Sequence, residues 1–456
     1  MEEKRYGMTH LTPAVIRSIT DGKARGSLPT EEITAITTDS RTITPGCLFA
    51  AIPGARADGH DFVPAVAEMG AACALVNRFV EGNIPQIAVP DTQAALRQIA
   101  AFYRSQFDIP FVGVTGSVGK TTAKEMIAAV LSARFDTLKT EKNFNNELGV
   151  PLTLFRLRKH HEAAVVEMGI SGFGEMTRLT DMVHPQIAVF TLIGDAHLEF
   201  LGDRRGVLRA KTEMLGGMPH NGTVIANGDD ELLRSHDFGR RTVLFGTGEN
   251  CDIRAVEIRN DGTAGMFCVI EGDGRHIPVR IPAFGQHLVY AALMGAAVGM
   301  ELGLTDEEIR QGITRFETVG SRGRIVETGY ITVLDDCYNA NPTSTESALK
   351  SLIALPGRHI AILGDMLELG ENAAALHYSL GRTAAALGVR LLCCGELSRY
   401  TASGAGEDTC WFADTSSLLE ALPKLVQAGD AVLVKASHAM GFEAVVKALE
   451  ALEING

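Results

Sequence analysis

Phe111-Val112-Gly113-Val114-Thr115-Gly116-Ser117-Val118-Gly119-Lys120-Thr121-Thr122 decides how this chain reads. An apolar run meets a glycine-rich turn, the turn ends in Lys-Thr-Thr, and a helix-forming segment follows. Such a unit is a phosphate cradle. Backbone N–H groups of the turn and the positive end of the helix dipole face an anion, Lys120 adds a full charge, and the Thr121 hydroxyl can ligate Mg2+. The strict motif carries glycine five positions before its Gly-Lys pair. Val114 stands there in this chain, so Thr115 to Thr122 is a variant loop. A strand–turn–helix junction without a ligand would look the same in secondary structure. A lysine-tipped turn is costly to bury without an anion, so a nucleotide is the expected occupant.

The chain has 456 residues, 46% hydrophobic and 21% charged, which is long and apolar enough for about two to four globular domains. The net charge of −13 argues against a general binder of nucleic acid or anionic membrane, and leaves a phosphorylated substrate open because local donors decide that. No apolar run reaches the roughly 18 residues of a membrane span. No apolar segment follows Met1-Glu2-Glu3-Lys4-Arg5, so a cytoplasmic protein without a signal peptide is expected. The eight cysteines (Cys47, Cys73, Cys251, Cys268, Cys337, Cys393, Cys394, Cys410) form no Cys-x-x-Cys pair and read as reduced core residues.

The apolar runs alternate with helical stretches, predicting an α/β protein of three regions. In the first, residues 1–105, strands are expected at 47–52, 71–76 and 87–89 and a helix at 62–69. The second, 106–320, holds the phosphate loop and then the runs 163–167 and 187–192, which predict a doubly wound parallel sheet. Its more polar part, 242–283, alternates as antiparallel strands and predicts a small sheet beside the parallel one. The third, 321–456, repeats the rhythm with strands at 331–336, 359–363, 390–394 and 431–435 and a helix at 345–354, a Rossmann-like sheet.

Function in such sheets collects at the carboxyl ends of strands. Glu167 ends the run after the phosphate loop and can hold Mg2+ opposite Thr121, although a strand-end acid is also commonplace. His197, in Gly194-Asp195-Ala196-His197-Leu198-Glu199, follows the next strand; a lone histidine is more often structural. Lys211 by spacing alone is a solvated helix lysine. Asn143, Asn145 and Asn146 offer neutral donors and acceptors for a polar substrate, or simply build a turn. Asp336-Cys337-Tyr338-Asn339-Ala340-Asn341-Pro342 sets polar groups just past a third-region strand.

These motifs resemble those of the Mur ligases, ATP-dependent amide-forming enzymes of bacterial cell-wall synthesis. The likeness is carried by the phosphate loop, by Asn143-x-Asn145-Asn146-x-x-Gly149-Val150-Pro151, by Tyr338-Asn339-Ala340-Asn341-Pro342 and by Leu363-Gly364-Asp365-Met366-Leu367-Glu368-Leu369-Gly370. Thr38-Asp39-Ser40-Arg41 and Asp58-Gly59-His60 look like the uridine-nucleotide-binding part. The resemblance implies a UDP-substrate domain at 1–105, an ATP-binding domain at 106–320 and a ligase domain at 321–456. It implies ATP and two Mg2+ ions as cofactors. Its nearest branch takes UDP-N-acetylmuramoyl-tripeptide and D-Ala-D-Ala as partners, and closing hinges suit a monomer.

Carried over residue by residue, ATP would lie against Thr115, Gly116, Ser117, Val118, Gly119, Lys120, Thr121, Thr122, His287, Arg324 and Asp336. Metal would be held by Thr121, Glu167, His197 and a carbamylated Lys211. The nucleotide-linked substrate would meet Asn143, Asn145 and Asn146 as well as the first region, and Tyr338, Asn339 and Asn341 would organise the surface facing the acceptor. Arg324 would reach the γ-phosphate, making it catalytic with Lys120, His197 and Lys211. In the family two amides follow or neighbour the His287 position; Leu288 and Ala291 stand there in this chain. A sister ligase, a folylpolyglutamate synthase-like enzyme and a P-loop ATPase without ligase activity are the rival readings.

Overall fold

The computed structural model describes residues 8–54, 57–261 and 265–452, and its backbone is organised by three sheets. The first has the strand order Lys23–Arg25, Gln86–Ala88, Cys73–Val76, Leu48–Ala50, Ile36–Thr37, parallel except for Lys23–Arg25. The second has nine strands. Thr137–Lys139, Ala163–Glu167, Phe111–Thr115, Ile187–Phe190, Thr223–Asn227, Arg241–Gly246 and Ile253–Asn260 run parallel in that spatial order. Met266–Gly272 and Arg275–Ile281 then continue the same sheet antiparallel. The third sheet runs Arg324–Glu327, Thr332–Asp335, Ala431–Lys435, His359–Gly364, Arg390–Cys394, Cys410–Phe412, with Arg324–Glu327 alone antiparallel.

The central strands are continuous apolar runs because both of their faces are covered. Every residue of Phe111–Thr115, Ala163–Glu167 and Ile187–Phe190 is buried. Alternation divides them between two cores. Val112, Val114 and Val165 face helices Lys120–Leu131, His287–Glu301 and Asp306–Thr314, while Phe111, Val166 and Ala188 face helices Glu175–Val183 and Arg204–Thr212. Helix Thr92–Arg104 belongs to the second of these cores, which runs on into Leu48, Leu75 and Ile87 of the first sheet. At its end, buried Arg104 lies 3.9 Å over the Phe111 ring and donates to the carbonyls of Val183, Phe107 and His184. Burial lowers its pKa to about 10.

Two expectations are corrected. The 242–283 stretch is not a separate antiparallel sheet: Arg241–Gly246 is parallel, and the antiparallel strands extend the main sheet. The helix expected at 345–354 is Pro342–Leu352, because Asn341 accepts from Ser344 N, Ser344 Oγ accepts from Asn341 N, and Pro342 at the first position needs no donor. Among the described residues no helix is long and apolar enough to cross a membrane.

Close helix packing fixes one position firmly. A Cβ on Gly312 would stand 2.3 Å from Val130 Cα and 2.7 Å from Ala129 O of the phosphate-loop helix. Gly→Ala inside a helix ordinarily gains about 1 kcal/mol. Here overlap with backbone reverses the sign, by about 1–3 kcal/mol for overpacking of this kind. G312A is expected to lower the midpoint of thermal unfolding, and an unchanged or raised midpoint would contradict this packing.

Candidate active site

The strand Phe111–Thr115 delivers residues 116–119 to the carboxyl edge of the central sheet, and helix Lys120–Leu131 starts there. The turn is held from beside it. Ser117 N donates to Leu192 O at 2.8 Å, Gly194 N donates to Ser117 Oγ at 3.0 Å, and Thr191 Oγ1 donates to Val118 O. Gly116 is obligatory in this approach: its φ is +153°, and a Cβ would lie 1.9 Å from Thr191 Oγ1. Thr121 Oγ1 donates to Glu167 Oε2 at 2.8 Å, and Asn145 Nδ2 donates to Glu167 Oε1 at 2.8 Å. The sequence-predicted metal pair and one of the three amides therefore meet at a single carboxylate.

Positive charge accumulates around that carboxylate. Lys120 donates to Gly116 O at 2.9 Å; burial lowers its pKa, Glu167 opposes the shift, and Arg322 adds to it. Lys211 is 1% exposed, with no carboxylate paired to it among the described residues. Burial first, and then Lys120, push its pKa well below the usual lysine range. His197 is lowered by burial, opposed by Glu368, and lowered further by Lys120 and Lys211. Its Nδ1 lies 2.7 Å from Glu368 Oε2 but makes no aligned hydrogen bond. Two lysines and a histidine thus lie close together near Glu167, Lys211 buried and Lys120 and His197 half-buried at the cleft, which fits a site that receives anions.

The phosphate loop opens into a cleft of about 770 Å³ whose opposite wall comes from the third sheet. There Lys435 Nζ contacts Asp336 Oδ2 at 2.6 Å and donates to Asn339 O at 2.9 Å. The Arg322 guanidinium lies 3.9 Å over the Tyr338 ring, which stacks on His438. Ser117, Val118, Gly119, Lys120, Thr121, Thr122, Asn143, Asn145, Asn146, Glu167, His197, His287, Asp336, Tyr338, Asn339 and Asn341 all line this cleft. Thr115 and Gly116 sit beneath it in the fold, buried in strand and turn.

Arg324 does not line the cleft: as the first residue of an edge strand it pairs with Asp335 at 3.3 Å and Glu450 at 3.1 Å. Arg322, two residues earlier, faces Lys120 instead. Thr38, Asp39, Ser40, Arg41, Asp58, Gly59 and His60 also lie outside the cleft, beside the first sheet. Asp39 binds Arg41 side chain and backbone, and these bonds hold its pKa down to about 2. Asp58 joins Arg78 and His60, whose Nε2 accepts from Asn77 N.

Leu288 and Ala291 are buried in the helix core, and the polar group nearby is Asp229. It accepts from Tyr290 at 2.8 Å, Thr247 N at 2.7 Å and Gly248 N at 3.0 Å. Burial opposes its charge, but these donors hold its pKa below the ordinary range. No sequence pattern by itself gives a role to Arg322, Asp229, Glu368 or Lys435. Lys435 ends a strand and was open to the argument that singled out Glu167. Away from the cleft, Asp136, His160 and His161 bring ligand atoms within 4.8 Å of one another at the protein surface, and nothing beside proximity points to an ion there.

Three family models match this chain: the Mur ligase middle domain at residues 114–299, the Mur ligase glutamate ligase domain at 314–438, and the Mur ligase family catalytic domain at 32–104. A UDP-N-acetylmuramoyl-tripeptide–D-alanyl-D-alanine ligase of Escherichia coli (strain K12) is 37% identical over 97% of this chain and 99% of its own length. A crystal structure of MurF from Acinetobacter baumannii matches with a TM-score of 0.91 at 32% identity, over 96% of this chain and 98% of that one. MurF ligase from Thermotoga maritima in complex with ADP matches with a TM-score of 0.83 at 27% identity, over 91% of this chain and 97% of that one. Similar along almost its whole length to proteins of one kind, and matched in all three of its regions, the chain belongs to the Mur ligase family.

Proposed function

We propose that the chain joins D-Ala-D-Ala to the terminal carboxylate of UDP-N-acetylmuramoyl-tripeptide, using ATP, in the cytoplasm, as a step of peptidoglycan precursor synthesis. The observation that carries this reading is the cluster of buried Lys211 with half-buried Lys120 and His197 near the Thr121–Glu167 pair. The relatives named as this ligase, and the ADP in the Thermotoga maritima relative, support the choice of substrates.

A carboxylate is a poor electrophile, so amide formation in water needs activation. The substrate carboxylate attacks the γ-phosphorus and ADP leaves. The dipeptide amine adds to the acyl carbon of the resulting acyl phosphate, and phosphate departs from the tetrahedral intermediate as a proton is lost. Such transfer depends on positioning and charge neutralisation. Lys120 and the turn amides hold the β- and γ-phosphates, and Arg322 approaches them from the third domain. Asp336, held by Lys435, meets the ribose, and Asn339 and Asn341 order the facing wall.

Mg2+, when bound, neutralises the triphosphate and polarises the transferred group. Thr121 and Glu167 would hold one ion; His197 and a carbamylated Lys211 would hold a second. Burial lowers the Lys211 pKa and so favours the neutral amine that adds to CO2 with loss of a proton, and the carbamate would place an anion beside Lys120. The first-sheet turns at Asp39 and Asp58 would take the uridine nucleotide, with Asn143, Asn145 and Asn146 nearer the peptide end.

The reading is tested by supplying ATP, Mg2+, UDP-tripeptide and D-Ala-D-Ala. Pentapeptide nucleotide and stoichiometric phosphate are expected; phosphate release independent of both acceptors would favour the ATPase. K120A is expected to abolish turnover, and near-normal ligation by it would remove the phosphate role. K211A should lose activity and regain part of it in short-chain carboxylates, which a carbamate explains and a structural lysine does not. R322A should lower kcat by about 100-fold, the scale of a lost transition-state donor, whereas R324A should leave it within about threefold. The reverse order would restore Arg324.

A further inference from the structure

We propose that Glu368 is a positioning residue for ligation: from the third domain its carboxylate fixes the ring of His197 in the central domain. The inference rests on the ligase reading above. Glu368 and His197 are both non-glycine residues in the left-handed region, with φ of +61° and +54°, and they face each other across the domain boundary at 2.7 Å. A left-handed backbone costs about 1–2 kcal/mol per residue. Glu368 is 55% exposed, and an ion pair that open to water contributes about 0–1 kcal/mol. Stability alone therefore does not account for the conformation. Strain of this kind persists where its surroundings over-determine it, typically at functional sites.

The surroundings do so here. Leu367 N donates to Ser437 Oγ at 2.9 Å, Met366 N donates to His377 Nε2 at 3.0 Å, and Asp365 accepts from Ser398 N at 2.7 Å. On the far side, a Cβ on Gly370 would sit 3.3 Å from Glu199 Cα, so the loop is seated directly on the His197 segment. His197 Nδ1 is buried without an aligned partner, and a small ring rotation toward Glu368 satisfies it. A carboxylate seated at Nδ1 fixes the orientation of the ring and favours the proton on that nitrogen. Because the two partners belong to different domains, the tautomer is set only while the domains meet.

The test uses the full chain with E368Q and E368G. The glycine variant removes the carboxylate while relieving the left-handed backbone. In both variants kcat for ligation is expected to fall about 10- to 100-fold, the usual scale for losing a carboxylate behind a functional histidine. KM for ATP and UDP-tripeptide should stay within about twofold, and the unfolding midpoint of E368G should not drop. In 15N-histidine-labelled protein, the His197 resonances, assigned with H197Q, should lose the Nδ1–H signature in both variants. If wild type ligates and both variants keep its kcat, or if kcat falls only together with the E368G midpoint, the proposal is overturned while the ligase reading stands. If wild type does not ligate, that reading fails separately, and an unchanged His197 signature then rejects the contact itself.

Discussion

Lys120, Lys211 and His197 lie close together, Lys211 buried and the other two half-buried, and the site depends on how that charge is balanced. Burying an ammonium without a partner is prohibitive in a low dielectric, so each group is pushed toward its neutral form. Glu167 is the carboxylate nearest this charge, and it is already shared between Thr121 and Asn145. An arriving triphosphate supplies what the protein withholds. The free protein is left electrostatically unfinished where its ligand completes it, which is the arrangement expected where binding energy serves the chemistry.

The scaffold explains how so many charged groups reach one place. Parallel strands present their carboxyl ends together, and here the ends of Phe111–Thr115, Ala163–Glu167 and Ile187–Phe190 supply the loop, the acid and the His197 segment. The wall opposite comes from the same end of another sheet, through Asp336 and Lys435. Neither wall holds a whole site. Arg322 and Glu368 cross from the third domain to Lys120 and His197, so assembly of the chemistry and meeting of the domains are one event.

Local patterns made much of this legible. Phosphate-loop chemistry is written in consecutive residues, and buried parallel strands announce themselves as unbroken apolar runs. The antiparallel end of the main sheet was harder, because alternation shows that a strand is half-buried but not which sheet it joins. Lys211 looked like a solvated lysine, although Val207 and Leu208 stand four and three residues before it on the buried face of helix Arg204–Thr212. Helical spacing placed it inside; its charge argued otherwise, and the fold followed the spacing.

Arg322 and Arg324 show where sequence reasoning reaches its end. The two differ by one glycine, Gly323, whose φ of +72° turns the chain between them. Composition and motif treat the arginines alike, and strand pairing separates them: Arg324 lies opposite Asp335 in the register, so its charge is taken by that acid and by Glu450. Arg322, left before the strand, spreads over Tyr338 and remains free of any carboxylate ion pair among the described residues. A guanidinium already neutralised by two acids has little field to offer a phosphate, whereas one held by a ring face keeps its full charge for the cleft. The same distinction governs Glu368, legible as part of a motif but given its role by a histidine 171 positions earlier in the chain.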